Sequence, residues 1–333
     1  MKIIIPMAGK GKRMRPHTIT TPKPLIKIAG KPIVQRLVED IVQVTSEKVD
    51  EIAYIIGDFG KEVENRLVEI ANTLGAKGTI YYQHEALGTA HAVYCAEPSM
   101  NGKLVVAFAD TLFSAQFKMD THKDGIIWTH KVKDPSAFGV VTKNQANVIN
   151  GFVEKPQSFV SDEAIIGIYY FRDGNALKQE LKYLVDHHIM KGGEYQLTDA
   201  LQNMMDKGTH FYTGNVDEWL DCGNKDATVY TNQRILENHR SQVLDKPKVK
   251  RTNSIIVEPC YIGENAEIHN SIIGPHVSIG SDTVVKNSII TNSIIQSNSD
   301  IDNANLDNSM VGNYVKYIGK VADVSIGDFT LLS

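Results

Sequence analysis

The stretch Lys2-Ile3-Ile4-Ile5-Pro6-Met7-Ala8-Gly9-Lys10-Gly11-Lys12-Arg13-Met14-Arg15-Pro16 carries an apolar β-branched run straight into a glycine-rich, cation-rich turn. Ile3, Ile4 and Ile5 do not alternate with polar residues, which is the pattern of a strand buried on both faces, as in a parallel sheet. Phosphate ligands in such sheets sit at the carboxyl ends of strands. The turn suits that place. Its glycines let backbone N–H groups approach a phosphate chain, and Lys10, Lys12, Arg13 and Arg15 add positive charge. It is not the dinucleotide fingerprint G-x-G-x-x-G, because Met14 stands at the third glycine position, and it lacks the GxxxxGK[ST] spacing of a P-loop. An ordinary strand-to-helix turn would account for the glycines, but not for four basic residues within six positions.

Moving outward, short β-branched runs at Lys2 to Ile5, Glu51 to Ile56, Thr79 to Tyr82, Leu104 to Phe108 and Gly125 to His130 read as strands. Ile33 to Val44 and Lys61 to Leu74 have helical periodicity, and Leu177 to His188 reads as an amphipathic helix. This alternation predicts the α/β class, with a Rossmann-like, mostly parallel sheet covered by helices on both faces. From about Asn253 the pattern changes. Ile256, Ile262, Ile268, Ile273, Ile279, Val285, Ile290, Ile295, Ile301, Leu306 and Val311 recur at steps of five or six residues, with Asn-Ser pairs at 253, 270, 287, 292 and 308. No helix or hairpin has that period. One inward aliphatic per step fits stacked coils that bury a continuous apolar column. The pattern resembles the hexapeptide repeats of a short left-handed β-helix. The polar segment from Asp245 to Thr252, carrying Pro247, is the expected linker, so a first domain is expected over residues 1–244 and a second over 245–333.

The chain has 333 residues, 42% hydrophobic and 22% charged, an ordinary globular composition with room for two domains. Its 35 basic and 39 acidic residues leave a net charge of −4, which offers no electrostatic case for a nucleic-acid partner. Phosphates, if handled, need a local site. Cys95, Cys222 and Cys260 lie far apart without metal-ligand spacing, and the histidines lack it too. There is no apolar stretch of membrane-spanning length, so neither a membrane partner nor a location other than the cytoplasm is expected.

Past Arg13 comes Thr21-Pro22-Lys23-Pro24-Leu25, in which flanking prolines stiffen the backbone of Lys23 and keep it out of a helix interior. Together, Gly9-x-Gly11-x-Arg13 through Pro16, Thr18, Pro22, Lys23, Pro24 and Leu25 resemble the opening signature of the sugar-1-phosphate nucleotidylyltransferase family. Later segments agree in order: Gln83 with Leu87-Gly88-Thr89-Ala90, Ala107-Phe108-Ala109-Asp110, Phe138-Gly139-Val140-Val141, Val153-Glu154-Lys155-Pro156, Gly167-Ile168-Tyr169, Gly193 to Asp199, and Trp219-Leu220-Asp221-Cys222-Gly223. The resemblance covers residues 1 to about 235. It departs from the commoner pattern at Lys12, where many members carry Thr or Ser, and at Ala109, where Gly is commoner. Neither change removes a group the reaction needs.

The resemblance implies Arg13 and Lys23 as catalytic cations, and Ala8, Gly9, Gly11, Lys12, Gln83, Gly88 and Thr89 as nucleotide-binding. Gly139, Glu154, Lys155, Gly167 and Tyr169 would bind the sugar phosphate, and Asp110 and Asp221 would hold Mg2+. The implied partners are a nucleoside triphosphate and a sugar-1-phosphate, with dTTP or UTP and glucose-1-phosphate first and guanylyl transfer to mannose-1-phosphate second. Positioning and charge neutralisation would dominate such phosphoryl chemistry. A non-catalytic sensing relative would be expected to lose Arg13, Lys23 or a carboxylate, and all four are present. A second, acyltransferase activity in the repeats would need a histidine base over a longer stack. His269 and His276 lie close to the linker, so packing or homo-oligomer formation is the expected role of this tail.

Overall fold

The computed structural model describes residues 1–115, 118–238 and 249–320. In chain order the first part contains β1 (Lys2–Pro6), β2 (Lys27–Ile28), β3 (Lys31–Pro32), α1 (Ile33–Val44), β4 (Glu51–Ile56), α2 (Lys61–Thr73), β5 (Lys77–Tyr82), α3 (Thr89–Tyr94), β6 (Leu104–Ala107) and β7 (Thr111–Ser114). There follow β8 (Gly125–Lys131), β9 (Gly139–Lys143), β10 (Ile149–Glu154), β11 (Glu163–Phe171), α4 (Gly174–Asp186), α5 (Leu197–Asp206), β12 (Phe211–Asn215), β13 (Glu218–Asp221) and α6 (Lys225–Asn238).

Two compact units result: Met1–Ile26 with Pro32–Gly223, and Lys27–Lys31 with residues from Asn224 onward. In the first, β6, β1, β4 and β5 run parallel. Ile3 to Ile5, Ile52 to Ile56 and Leu104 to Ala107 are buried on both faces, which is why their sequences do not alternate. The antiparallel β11 extends this core past β6 and pairs with β8 on its other side, so the sheet is mixed around a parallel centre. α1 places Ile33, Val34, Leu37, Val38 and Ile41 on one buried stripe. Ile4, Ile55, Val106, Phe171, Leu177, Leu201 and Phe211 belong to one continuous core cluster.

The second unit is built from three parallel ladders. One runs Lys250–Thr252, Glu267–His269, Val284–Lys286, Asp300–Asp302 and Lys316–Ile318. The second links Ile255–Ile256, Ile272–Ile273, Ile289–Ile290 and Asn305–Leu306, and the third Cys260–Ile262, Val277–Ile279, Ile294–Ile295 and Met310–Val311. Corresponding residues of successive coils are 17 or 16 apart, three strands to a coil, which accounts for the step of five or six. These ladders are those of a short β-helix, in keeping with the left-handed coil expected. All eleven aliphatics of the repeat lie in or against one buried column.

The expected division at 244/245 lies outside the described residues, and packing joins α6 to the β-helix well before it. Thr228, Thr231 and Asn232 of α6 are 0% exposed. Asn232 Oδ1 accepts from Ala29 N–H at 2.9 Å and from Ser278 Oγ at 2.6 Å, while Gln296 Nε2 donates to Lys27 O at 2.9 Å. A polar helix face buried by hydrogen bonding has no hydrophobic signature to read in advance. Among the described residues no helix is long and apolar enough to cross a membrane.

Candidate active site

β1 delivers the glycine-rich loop to the carboxyl edge of the parallel strands, and Met7 N–H donates to Ile55 O at 2.8 Å to hold the first step beyond it. Gly11 turns the chain with φ 55°, in the left-handed region. A Cβ there would lie 3.0 Å from Thr18 Cγ2 and 3.1 Å from Lys23 Cβ, so glycine is what lets the two halves of the loop close. Thr18 Oγ1 donates to Gly11 O at 2.8 Å and fastens that closure. A 3-10 turn over Lys12–Met14 buries Met14 and leaves Lys12 and Arg13 exposed.

Asp110 follows β6, the sheet neighbour of β1, so it emerges at the same edge. Lys23 Nζ lies 2.8 Å from Asp110 Oδ2. Asp221 comes from 111 positions further on. The antiparallel pairing of β13 with β7 sets Asp221 opposite Thr111, and Cys222 N–H donates to Asp110 O at 2.9 Å. Burial, and then the charge of Asp110, push the Asp221 carboxyl above the usual range, against the opposing pull of Lys23, the Gly223 N–H and Arg13. A Cβ on Gly223 would sit 3.0 Å from both Asp221 oxygens and 3.1 Å from an Arg13 guanidinium nitrogen, so Arg13 and Asp221 converge there.

Two half-buried carboxylates whose charges oppose one another make a place where a divalent cation would relieve the repulsion. No group of three or more metal-ligating side chains occurs among the described residues. The remaining ligands would have to be substrate oxygens and water, which is the usual arrangement for magnesium bound with a polyphosphate. The residues therefore fit that ion.

A cleft of about 290 Å³ opens beside this edge, lined by Ala8, Gly9, Gly11, Lys23, Gln83, Gly88, Thr89 and Asp110 among the expected residues, and by Phe108 and Glu194 besides. Its far wall joins two motifs distant in sequence. Tyr195 N–H donates to Leu87 O at 2.8 Å and Ala90 N–H to Tyr195 O at 3.0 Å. Gly88 has φ 102°, and a Cβ on it would lie 2.5 Å from Tyr195 O. Thr89 Oγ1 accepts from Leu197 N–H at 3.0 Å, capping α5, so its hydroxyl has structural work as well as a place on the wall.

The residues expected to hold the sugar phosphate gather around Glu154. Gly139 faces it across the β9–β10 pair, and a Cβ on Gly139 would lie 2.9 Å from Glu154 Oε2. Burial, with Asp199 and Glu194, pushes the Glu154 carboxyl up, and Lys155 opposes this. Tyr169 is buried, and both burial and the Glu154 charge push its hydroxyl up. Gly167 O accepts from Phe108 N–H at 2.9 Å, and the Phe108 ring meets Tyr169 edge-on at 6.3 Å, linking this group to the cleft wall. Lys155 is exposed, 3.9 Å from Glu154 Oε1, and holds φ 45°. Arg13, Asp221 and the residues expected to hold the sugar phosphate lie outside the lining of this cleft, as does Lys12, and Lys12 and Lys155 stand in solvent.

Phe108, Glu194 and His91 were not singled out from the sequence. Phe108 and Glu194 lie inside motifs that were, and the signal for each was its adjacency to an expected residue. His91 was read only as one of the histidines without metal-ligand spacing.

The family model described as nucleotidyl transferase matches residues 2–238. A glucose-1-phosphate thymidylyltransferase of Streptomyces antibioticus is 29% identical over 312 residues, 86% of this chain and 85% of the relative. The bifunctional protein GlmU of Methanococcus maripaludis is 30% identical over 262 residues, 78% of this chain and 60% of that protein. Among solved structures, a UDP-glucose pyrophosphorylase complexed with UDP-glucose shares the fold with a TM-score of 0.59 at 23% identity, over 72% of this chain and 99% of that one.

Proposed function

This chain belongs to the nucleotidyl transferase family and is a sugar-1-phosphate nucleotidyltransferase, and from that premise we propose that it joins dTTP or UTP to glucose-1-phosphate and releases pyrophosphate. The observation that carries the site assignment is the meeting of Asp221 with Lys23 and Asp110, the latter two lining a cleft together with Gln83 and Gly88.

In this reading a sugar-phosphate oxygen attacks the α-phosphorus in line, and no protein nucleophile is needed. The loop N–H groups of Ala8 to Gly11 and the Arg13 guanidinium take up charge on the departing β- and γ-phosphates. The Lys23 ammonium has three donors. One holds Asp110, and the others are left for the α-phosphate and the attacking phosphate. Magnesium held by Asp110 and Asp221 supplies Lewis acidity at the α-phosphoryl oxygen. Glu154 accepts from sugar hydroxyls. Lys155 holds the incoming phosphate, and its left-handed backbone is an outlier of the kind that clusters at ligand-binding positions. The Gln83 amide and the Gly88 backbone read the base.

The β-helix adds no group to this chemistry. Its second ladder exposes Ile255, Ile272 and Ile289 in register, which supports self-association as its role; sedimentation of the full chain as a monomer would remove that part of the reading.

The deciding experiment measures pyrophosphate release for UTP, dTTP, GTP, CTP and ATP against a panel of sugar-1-phosphates. Fastest turnover is expected with dTTP or UTP and glucose-1-phosphate. A maximum with GTP and mannose-1-phosphate would move the assignment to guanylyl transfer.

A further inference from the structure

Gln83 follows β5, with its N–H donating to Ile56 O at 2.9 Å, and its side chain reaches the cleft wall between Gly88 and His91. Its Nε2 lies 3.1 Å from His91 Nδ1 and 3.5 Å from Gly88 O. A peptide carbonyl can only accept, so the amide turns its –NH2 toward Gly88. The same –NH2 then faces His91 Nδ1, which must accept as well. That requires a neutral imidazole carrying its proton on Nε2. Both amide hydrogens are thereby directed at protein, and the carbonyl Oε1 is the part of Gln83 left to meet a ligand.

We propose that His91 is a positioning residue for base selection. By accepting from Gln83 Nε2 it keeps the amide carbonyl toward the cleft, where it takes a base with a ring N–H at its pairing edge and disfavours one with a bare ring nitrogen there. Uracil, thymine and guanine are of the first kind, cytosine and adenine of the second. A site built to receive a hydrogen bond discriminates strongly against a partner that cannot make it. The proposal rests on the reading of Gln83 as base-contacting.

The surroundings of His91 favour the neutral ring that this hydrogen bond needs. Burial pulls its pKa down, and only Glu85 pulls it up. Its ring stacks on Tyr195 with centroids 6.4 Å apart, and the Tyr195 hydroxyl in turn lies 3.3 Å from His188 Nδ1. A proton on Nδ1 would oppose the amide hydrogens and turn Gln83 around, presenting donors to the base.

The test compares kcat and KM for CTP with those for whichever of UTP, dTTP and GTP the full-length enzyme turns over fastest. His91→Phe keeps a ring against Tyr195 and removes the acceptor. It should raise KM for the preferred nucleotide about tenfold, change kcat less than about threefold, and cut the preference over CTP about tenfold. His91→Asn puts a carbonyl oxygen close to where Nδ1 stands and should restore most of that preference. A folded His91→Phe enzyme with wild-type preference overturns the proposal, and so does an equal loss for both nucleotides. Gln83→Ala separates the layers. If it leaves KM and preference unchanged, the base-reading role fails as well; if it raises KM and lowers the preference while His91→Phe does neither, only His91 is wrong. Should His91→Phe not fold, 15N NMR of the wild-type imidazole decides, because a proton on Nδ1 at neutral pH is incompatible with the proposal.

Discussion

Both units bend their backbones into the left-handed region, and the turns at the cleft and one corner of the β-helix do so with different residues. In the catalytic unit the turns at the cleft use glycine: Gly11 at φ 55° and Gly88 at φ 102°, each with neighbouring atoms where a Cβ would go. In the β-helix one corner uses Asn253, Asn270, Asn287 and Asn303 at φ 46° to 51°. Asn253 Nδ2 donates to Asn270 Oδ1 at 3.1 Å, Asn270 to Asn287 at 3.3 Å, and Asn287 to Asp302 at 2.9 Å. Asparagine tolerates this conformation better than other side-chain-bearing residues. It serves where the corner faces solvent and a stacked copy can take its hydrogen bond. Glycine serves where the chain or a ligand must pass close. The same torsion thus serves architecture at this corner of the β-helix and close approach at the cleft.

If that contrast holds, loss of charge in the catalytic unit and loss of packing in the β-helix should be separable. The largest effect is expected at the cleft edge. Lys23→Ala should lower turnover by about 10² or more with little change in melting temperature, as for a charge contact made in the transition state. Asp110→Asn and Asp221→Asn should each do similar damage and weaken the magnesium dependence. A normal magnesium titration with normal turnover in either would make that residue structural.

The converse change is Ile290→Ala, at the 0%-exposed centre of the apolar column. It should cost about 2–5 kcal/mol of stability through lost burial and the cavity left behind. Thermal unfolding would show that loss, while kcat/KM of the folded fraction should stay within about twofold. A comparable fall in kcat/KM would mean that the β-helix supports the site as well as itself.

How far each unit could be read in advance follows from where its information lies. The β-helix is local: every coil repeats the last, so the column from Ile256 to Val311 was visible as a period. β1 with its loop, and α1, were legible for a similar reason, each being a contiguous run whose pattern is complete in itself. The meeting of Asp221 with Asp110 was not, because it depends on β13 pairing with β7 across about a hundred residues, and register between distant strands leaves no mark in either segment alone. The family resemblance, not periodicity, put those two aspartates together beforehand. α6 illustrates the same point: Thr228, Thr231 and Asn232 are polar, and only a partner met in the fold, such as Ala29 N–H and Ser278 Oγ for Asn232, accounts for a buried face of this kind.

A smaller effect is expected from pH at the sugar-phosphate group. Glu154 holds its proton to higher pH than an ordinary carboxylate, owing first to burial and then to Asp199 and Glu194. Its ionised, accepting form is therefore lost earlier as pH falls. KM for the sugar phosphate should rise on the acid side before the common carboxylate range is reached. In Glu154→Gln it should be higher throughout and flatter over the same interval. An identical acid limb in both enzymes would assign the titration to another group, such as the substrate phosphate.

The smallest effects compare one substitution in two settings. Lys155 and Asn270 both hold left-handed backbone, at φ 45° and 49°. Replacing either by glycine relieves whatever strain the side chain imposes, and also adds freedom to the unfolded chain. For Lys155 the strain is that of a long side chain in a conformation it disfavours by about 1–2 kcal/mol, so the balance should favour the variant by about 0.5–1 kcal/mol. For Asn270 there is less strain to relieve, and two exposed side-chain hydrogen bonds are lost, so the change should stay within about 0.5 kcal/mol of zero or be slightly destabilising. Activity should move the other way. Lys155→Gly should raise KM for the sugar phosphate several-fold while the protein melts slightly higher, and Asn270→Gly should leave both kinetic constants alone. A more stable but poorer enzyme is the signature of strain kept for function. If Lys155→Gly proves both more stable and fully active, Lys155 has no part in binding and its backbone conformation is only the way β10 ends. If Asn270→Gly alters kinetics, the β-helix corners are not the passive architecture that their hydrogen-bond ladder indicates.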